Sequence, residues 1–102
     1  MEIKHKLINR TLQICLCGEL DETAAENART FLDMLIDKKL PEKIIFDLSR
    51  LTFMDSTGIG VLLGRYKRCK NLNINVLIAS PHSTVDKLLT LSGIYTVIPK
   101  IS

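Results

Sequence analysis

Apolar residues recur along this chain at two spacings, and stretches of one kind alternate with stretches of the other. Runs of period two, or short unbroken apolar runs, read as strands. Stripes recurring every three to four residues read as helices. A chain that alternates between them has to stack helices on a sheet, because neither kind of element buries its apolar side alone. With 102 residues it is expected to form one domain, residues 1–102, around one core.

The pattern assigns the elements in order. Ile3–Ile8 and Leu12–Cys17 read as two strands joined by a tight turn at Asn9-Arg10, and strands joined so closely pair antiparallel. In the second, Leu12, Ile14 and Leu16 alternate with Gln13, Cys15 and Cys17, so one face is the better buried. Gly18 is expected to end it, with Glu19-Leu20-Asp21 as a loop. Ala24, Ala28, Phe31, Leu32, Leu35 and Ile36 form a helical stripe, capped by Asp21 or Thr23 and stopped by Pro41. Glu22 and Glu26 early, and Lys38 and Lys39 late, suit the helix dipole. Lys43–Leu48 reads as a central strand covered on both faces. Leu51–Met54 is a second short apolar stretch. A helix should follow, with Ile59, Leu62, Leu63, Tyr66 and Cys69 inward and Arg65, Lys67, Arg68 and Lys70 mostly outward. Ile74–Ala79 is a strand. Ser80-Pro81 opens a third helix, with Val85, Leu88 and Leu89 inside and Gly93 at its end. Tyr95–Ile98 is a last short strand. Strand–helix–strand units pair their strands in parallel through right-handed crossovers. The expected fold is therefore α/β, with a mixed, mostly parallel sheet and an antiparallel first strand.

Charge and composition exclude more than they select. The formal charge is +3, short of the concentrated basic face of a nucleic-acid binder, so no direct nucleic-acid partner is expected. No apolar run approaches the roughly 18 residues of a membrane span. The stretch Met1–Lys6 lacks the apolar core of a secretory signal. The expected location is cytoplasmic, with no membrane partner. Three cysteines suit reduced thiols better than a disulfide framework. Cys15 and Cys17 share a strand face with Cα atoms about 6.6 Å apart, near the limit for bridging. Cys15, Cys17, Cys69, His5 and His82 show no paired ligand spacing of the zinc type. Neither a metal nor a cofactor is expected.

The chemically pointed segment is Met54-Asp55-Ser56-Thr57-Gly58-Ile59-Gly60. A buried strand feeds a polar tetrad that opens a helix holding Gly58, Gly60 and Gly64. Ligands on open α/β sheets bind outside the carboxyl ends of the strands, where this tetrad should sit. The loop Gly18–Asp21 follows another strand in the same sense, so the two loops are expected to be neighbours. Asp and Ser are ordinary helix N-caps, and a capping role is compatible with a functional one. A serine at a helix start is exposed. Phosphorylated, it gains about 1.5 to 2 negative charges and three acceptor oxygens, which free helical N–H groups can stabilise. Nearby Asp55 and Asp21 would oppose that charge. Gly58 and Gly60 either pack the helix closely on the sheet or bare its start to a partner's backbone. They form no Walker loop, because no Gly-Lys-Ser/Thr follows.

The run Phe53-Met54-Asp55-Ser56-Thr57-Gly58-Ile59-Gly60-Val61-Leu62-Leu63-Gly64-Arg65-Tyr66-Lys67 closely resembles the anti-sigma factor antagonists of the STAS domain family. Gly18-Glu19-Leu20-Asp21 matches a second motif of that family, and Leu91-Ser92-Gly93-Ile94 resembles a third. The Leu-Gly-Arg-Tyr-Lys ending at Lys67 favours the sporulation branch over the general-stress branch. The resemblance implies a STAS-type sheet with helices mainly on one face, and a further helix beyond the last strand that would lie past Ser102. It also implies a partner-switching cycle. The unphosphorylated antagonist binds an anti-sigma factor, which releases its sigma factor. The anti-sigma factor, itself a serine kinase, phosphorylates Ser56 and the pair separates; a phosphatase reverses the mark. By the same resemblance Asp21 contacts the partner, with Glu19, Asp55, Ser56, Thr57, Gly58 and Gly60 around it. Ser56 is then a kinase substrate, and the chain is not an enzyme.

Three other readings compete, one of them a STAS regulator of the general stress response or of another phospho-switched partner complex. A serine hydrolase needs a general base within reach of Ser56, and the two histidines fall on the first strand and near the third helix. The leading glycine of a nucleophile elbow is also missing. A nucleic-acid role would use Arg65, Lys67, Arg68 and Lys70, a run that reads as a solvated helix face.

Overall fold

The structure, a computed structural model, describes residues 1–102. The chain opens with β1 (Glu2–Ile8) and β2 (Thr11–Leu20), antiparallel from Glu2↔Cys17 to Ile8↔Thr11. Asn9 and Arg10 between them both take positive φ, as a two-residue hairpin turn whose twist matches its strands requires. Then follow α1 (Glu22–Lys39), β3 (Lys43–Asp47), β4 (Leu51–Met54), α2 (Ser56–Asn71), β5 (Asn75–Ala79) and α3 (Ser83–Ser92). The five strands form one mixed sheet, in the order β1-β2-β3-β5 with β4 on β2. Every pairing except that of β1 is parallel. The expected sheet is the observed one.

Period-two patterning separates the faces. Leu12, Ile14, Leu16, Ile44, Phe46 and Ile78 are fully buried, and they meet the α1 stripe of Ala28, Leu32, Leu35 and Ile36 and the α2 stripe of Val61, Leu62 and Cys69 in one core. The alternate residues Gln13, Cys15, Cys17, Ile45 and Asp47 are only half-buried. This corrects the expectation for β3. It is covered on one face and half-open on the other, because the chain places its two long helices on the same side. α3 packs against β4 at the sheet's end.

Four further expectations are revised. Gly18 does not end β2: its φ of +100° lets the backbone turn through a bulge, after which Glu19 and Leu20 pair with Phe53 and Met54. Ala25, not Ala24, is the buried residue of the first turn of α1. Ser80 does not cap α3. Its N–H donates to Ser102 O at 3.1 Å, and the helix starts after His82, whose carbonyl accepts from Asp86 N at 2.7 Å. Tyr95–Ile98 is not a strand. Gly93, at φ +79°, caps α3 and is followed by a short 3-10 turn, Ile94–Thr96, which buries Ile94 and Ile98 on one side at helical spacing. Strand-like pairing comes later: Ile78 N donates to Pro99 O and Ile101 N to Ile78 O.

Candidate functional site

β2 and β4 run parallel and end level, with Leu20 paired to Met54. The next residue in each is an aspartate, and each aspartate starts a helix. Asp21 Oδ1 accepts from Ala24 N at 3.0 Å and caps α1. Asp55 Oδ1 accepts from Thr57 N at 2.9 Å and Gly58 N at 3.1 Å, capping α2. The second oxygen of Asp55 reaches across and accepts from Glu22 N at 3.2 Å. One carboxylate therefore ties the starts of both helices together. The two loops are neighbours, as their order along parallel strands implies.

Ser56 is the first residue of α2 and is exposed. Asp55 supplies the cap, so the serine hydroxyl is free of that task and open to a visiting molecule. Thr57 is half-buried. Glu19 and Glu22 are exposed beside them, and Asp21 and Asp55 are half-exposed. These four carboxylates gather at one end of a chain whose net charge is +3.

The two glycines part company. A Cβ on Gly58 would stand 2.7 Å from Leu20 O and 2.7 Å from Met54 Cγ. Gly58 is buried, so it is a packing residue. Of the two roles expected for it, that contact selects close packing over baring the helix to a partner's backbone. Gly60 is exposed, and a Cβ there would meet nothing within 4 Å.

Arg65 is the other revision. Expected outward, it is only 9% exposed, and its Nε lies 2.9 Å from Asp33 Oδ1 on α1. Arg68 pairs with Asp37 through two nitrogens and lies 3.8 Å from Asp33. Half of the basic run thus ties α2 to α1 and is not free for phosphates. The signal was in the spacing: Arg65 follows Val61 and Leu62 and precedes Cys69 on one helical face. Glu22, which presents its backbone to Asp55, carried no sequence signal, because the contact spans 33 residues. Neither histidine belongs to the site. His5 packs beside Phe31 with ring centroids 6.0 Å apart, and His82 precedes α3.

The STAS domain profile matches residues 2–102 of this sequence. The chain belongs to the STAS domain family. Within it, this STAS domain is 35% identical over 88 residues to the anti-sigma F factor antagonist of Paenibacillus polymyxa, covering 86% of this chain and 75% of that one. It is 33% identical over 95 residues to the anti-sigma F factor antagonist of Lysinibacillus sphaericus, covering 92% and 81%. Its fold matches the solved structure of the anti-sigma factor antagonist SpoIIAA in its unphosphorylated form, with a TM-score of 0.75, 27% identity and coverage of 99% and 88%. The phosphorylated form of the Bacillus cell fate determinant SpoIIAA matches with a TM-score of 0.74, 29% identity and coverage of 99% and 92%.

Proposed function

We propose that this STAS domain is an anti-sigma factor antagonist of the sigma F, sporulation type, and that phosphorylation of Ser56 switches it off. The carrying observation is the division of labour at the start of α2. Asp55 holds the helix through Thr57, Gly58 and Glu22, and the adjacent Ser56 hydroxyl is left exposed. A phosphate there adds about 1.5 to 2 charges to an end already carrying Glu19, Asp21, Glu22 and Asp55. It changes what can dock without breaking a bond the fold uses. The similarity of this scaffold to both the unphosphorylated and phosphorylated forms of a relative supports a switch that acts at the surface. The partner is an anti-sigma factor that also serves as the serine kinase, and a phosphatase restores the docking-competent form in the cytoplasm. Asp21, Glu19, Thr57 and Gly60 form the docking rim. Phe53, 47% exposed, is two residues from Asp55 and adds an apolar contact.

The test is a binding and phosphosite experiment with the sigma F anti-sigma kinase. Ser56→Ala should bind and resist phosphorylation; Ser56→Asp should bind at least ten-fold more weakly. Asp21→Asn keeps an N-cap of equal quality and removes a charge, so it should weaken docking at unchanged stability. Phosphate mapped to another residue of the wild type would refute the switch.

A further inference from the structure

Two thiols take no part in the site described above. Cys15 and Cys17 lie on the open face of β2, both half-buried and neither in a disulfide. Their Cα atoms, two residues apart on a strand, are about 6.6 Å apart, and same-face strand side chains are poorly aimed for a disulfide. Their sulfurs are 3.5 Å apart, against roughly 2.05 Å in a disulfide. Closing that gap would bend β2 between β1 and β3, which hold Cys15 opposite Lys4 and Asp47. A bridging atom needs no such movement. Two bonds of about 2.3 Å, the length of a metal–thiolate bond, span a 3.5 Å gap with an angle of about 100° between them, which suits a pyramidal or near-tetrahedral centre.

We infer that Cys15 and Cys17 form a two-thiol clip for a soft, thiophilic centre with near-pyramidal bond angles, of which trivalent arsenic is the type. Soft centres select thiol ligands. A bare soft cation binds thiolates and must first displace protons. Trivalent arsenic carries its own base. With an aryl arsenic oxide, each S–H bond breaks and its proton goes to the arsenic-bound oxygen. Two As–S bonds replace the arsenic–oxygen bond, one water leaves, and no electron changes hands. A shallow cavity of about 280 Å³, lined by Lys4, His5, Lys6, Gln13, Cys15, Asp47 and Arg50, opens the Cys15 side of the pair to a small molecule. Cys69 is buried in the core and has no second thiol beside it.

The test titrates phenylarsine oxide into the reduced full chain in excess glutathione, which strips arsenic from single thiols. Native mass spectrometry should show one arsenic per wild-type chain, and a thiol reagent should then find two of the three thiols blocked. Cys69→Ser should retain the arsenic, whereas Cys15→Ser and Cys17→Ser should each bind at least ten-fold more weakly. Undiminished retention in either single variant, or no retention by the folded wild type, would overturn the proposal. Diamide should leave the pair unjoined. A disulfide between Cys15 and Cys17 that forms readily with the circular dichroism unchanged would also overturn it, since the strand could then close the gap.

Discussion

Gly58 shows how one missing atom positions the site. The first turn of α2 lies so close to the ends of β2 and β4 that any Cβ there would press on Leu20 O and Met54 Cγ at 2.7 Å. A backbone oxygen cannot swing aside, so relief requires α2 to shift. Gly58→Ala is expected to destabilise the fold by about 1–3 kcal/mol through overpacking. The readout is a lower urea midpoint at unchanged slope. Gly60→Ala is the control. Its Cβ meets nothing within 4 Å, and replacing a helical glycine should stabilise by up to about 1 kcal/mol.

Between elements, the polar contact of most consequence is Arg65 with Asp33, which joins α2 to α1. Burial pulls the Arg65 guanidinium below its usual range and the Asp33 charge opposes that pull, so the pair is only partly compensated. The Arg68–Asp37 pair beside it is far more exposed and contributes little by comparison. Removing one partner of the inner pair strands a buried charge, whereas removing both does not. Asp33→Leu alone is expected to cost about 1–3 kcal/mol, and Asp33→Leu with Arg65→Leu less than that. Urea unfolding of the two singles and the double decides it; a double variant weaker than Asp33→Leu would contradict the account. Because α1 and α2 start at the candidate switch, this pair also holds the angle at which the two capped ends meet.

For the whole molecule, the last residues close the sheet's far side. Asp86 on α3 accepts from Tyr95 Oη at 2.6 Å and from Lys100 Nζ at 3.2 Å, and Lys100 forms a bridge to Ile78 of β5. The Tyr95 hydroxyl, then Lys100, hold the Asp86 carboxyl below its ordinary range. The folded state therefore keeps this proton off at a pH where the unfolded chain takes it up. The stability from this group is present above the unfolded value of about 3.9 and is lost as pH falls through the lower folded value. Wild type is accordingly expected to lose urea resistance faster than Asp86→Asn between about pH 5 and pH 2.5. Parallel curves would show that the clamp contributes nothing.

Local pattern was enough for the α/β class, the antiparallel first strand, the places where the first two helices are capped, though not the choice of Asp21 over Thr23 or of Asp55 over Ser56, and the glycine stop at Gly93. Each depends on residues within a few positions of one another, through periodicity, side-chain capping or a positive φ. The family resemblance, carried by a contiguous run around Ser56, was legible for the same reason. What sequence could not settle were contacts made across the chain: whether β3 is covered twice, whether Gly58 is packed or bare, whether Arg65 faces water, and that Asp55 caps one helix while holding another. Those depend on which surfaces meet once the sheet has formed. Burial and pairing belong to neighbours in space, and only the tertiary structure chooses them.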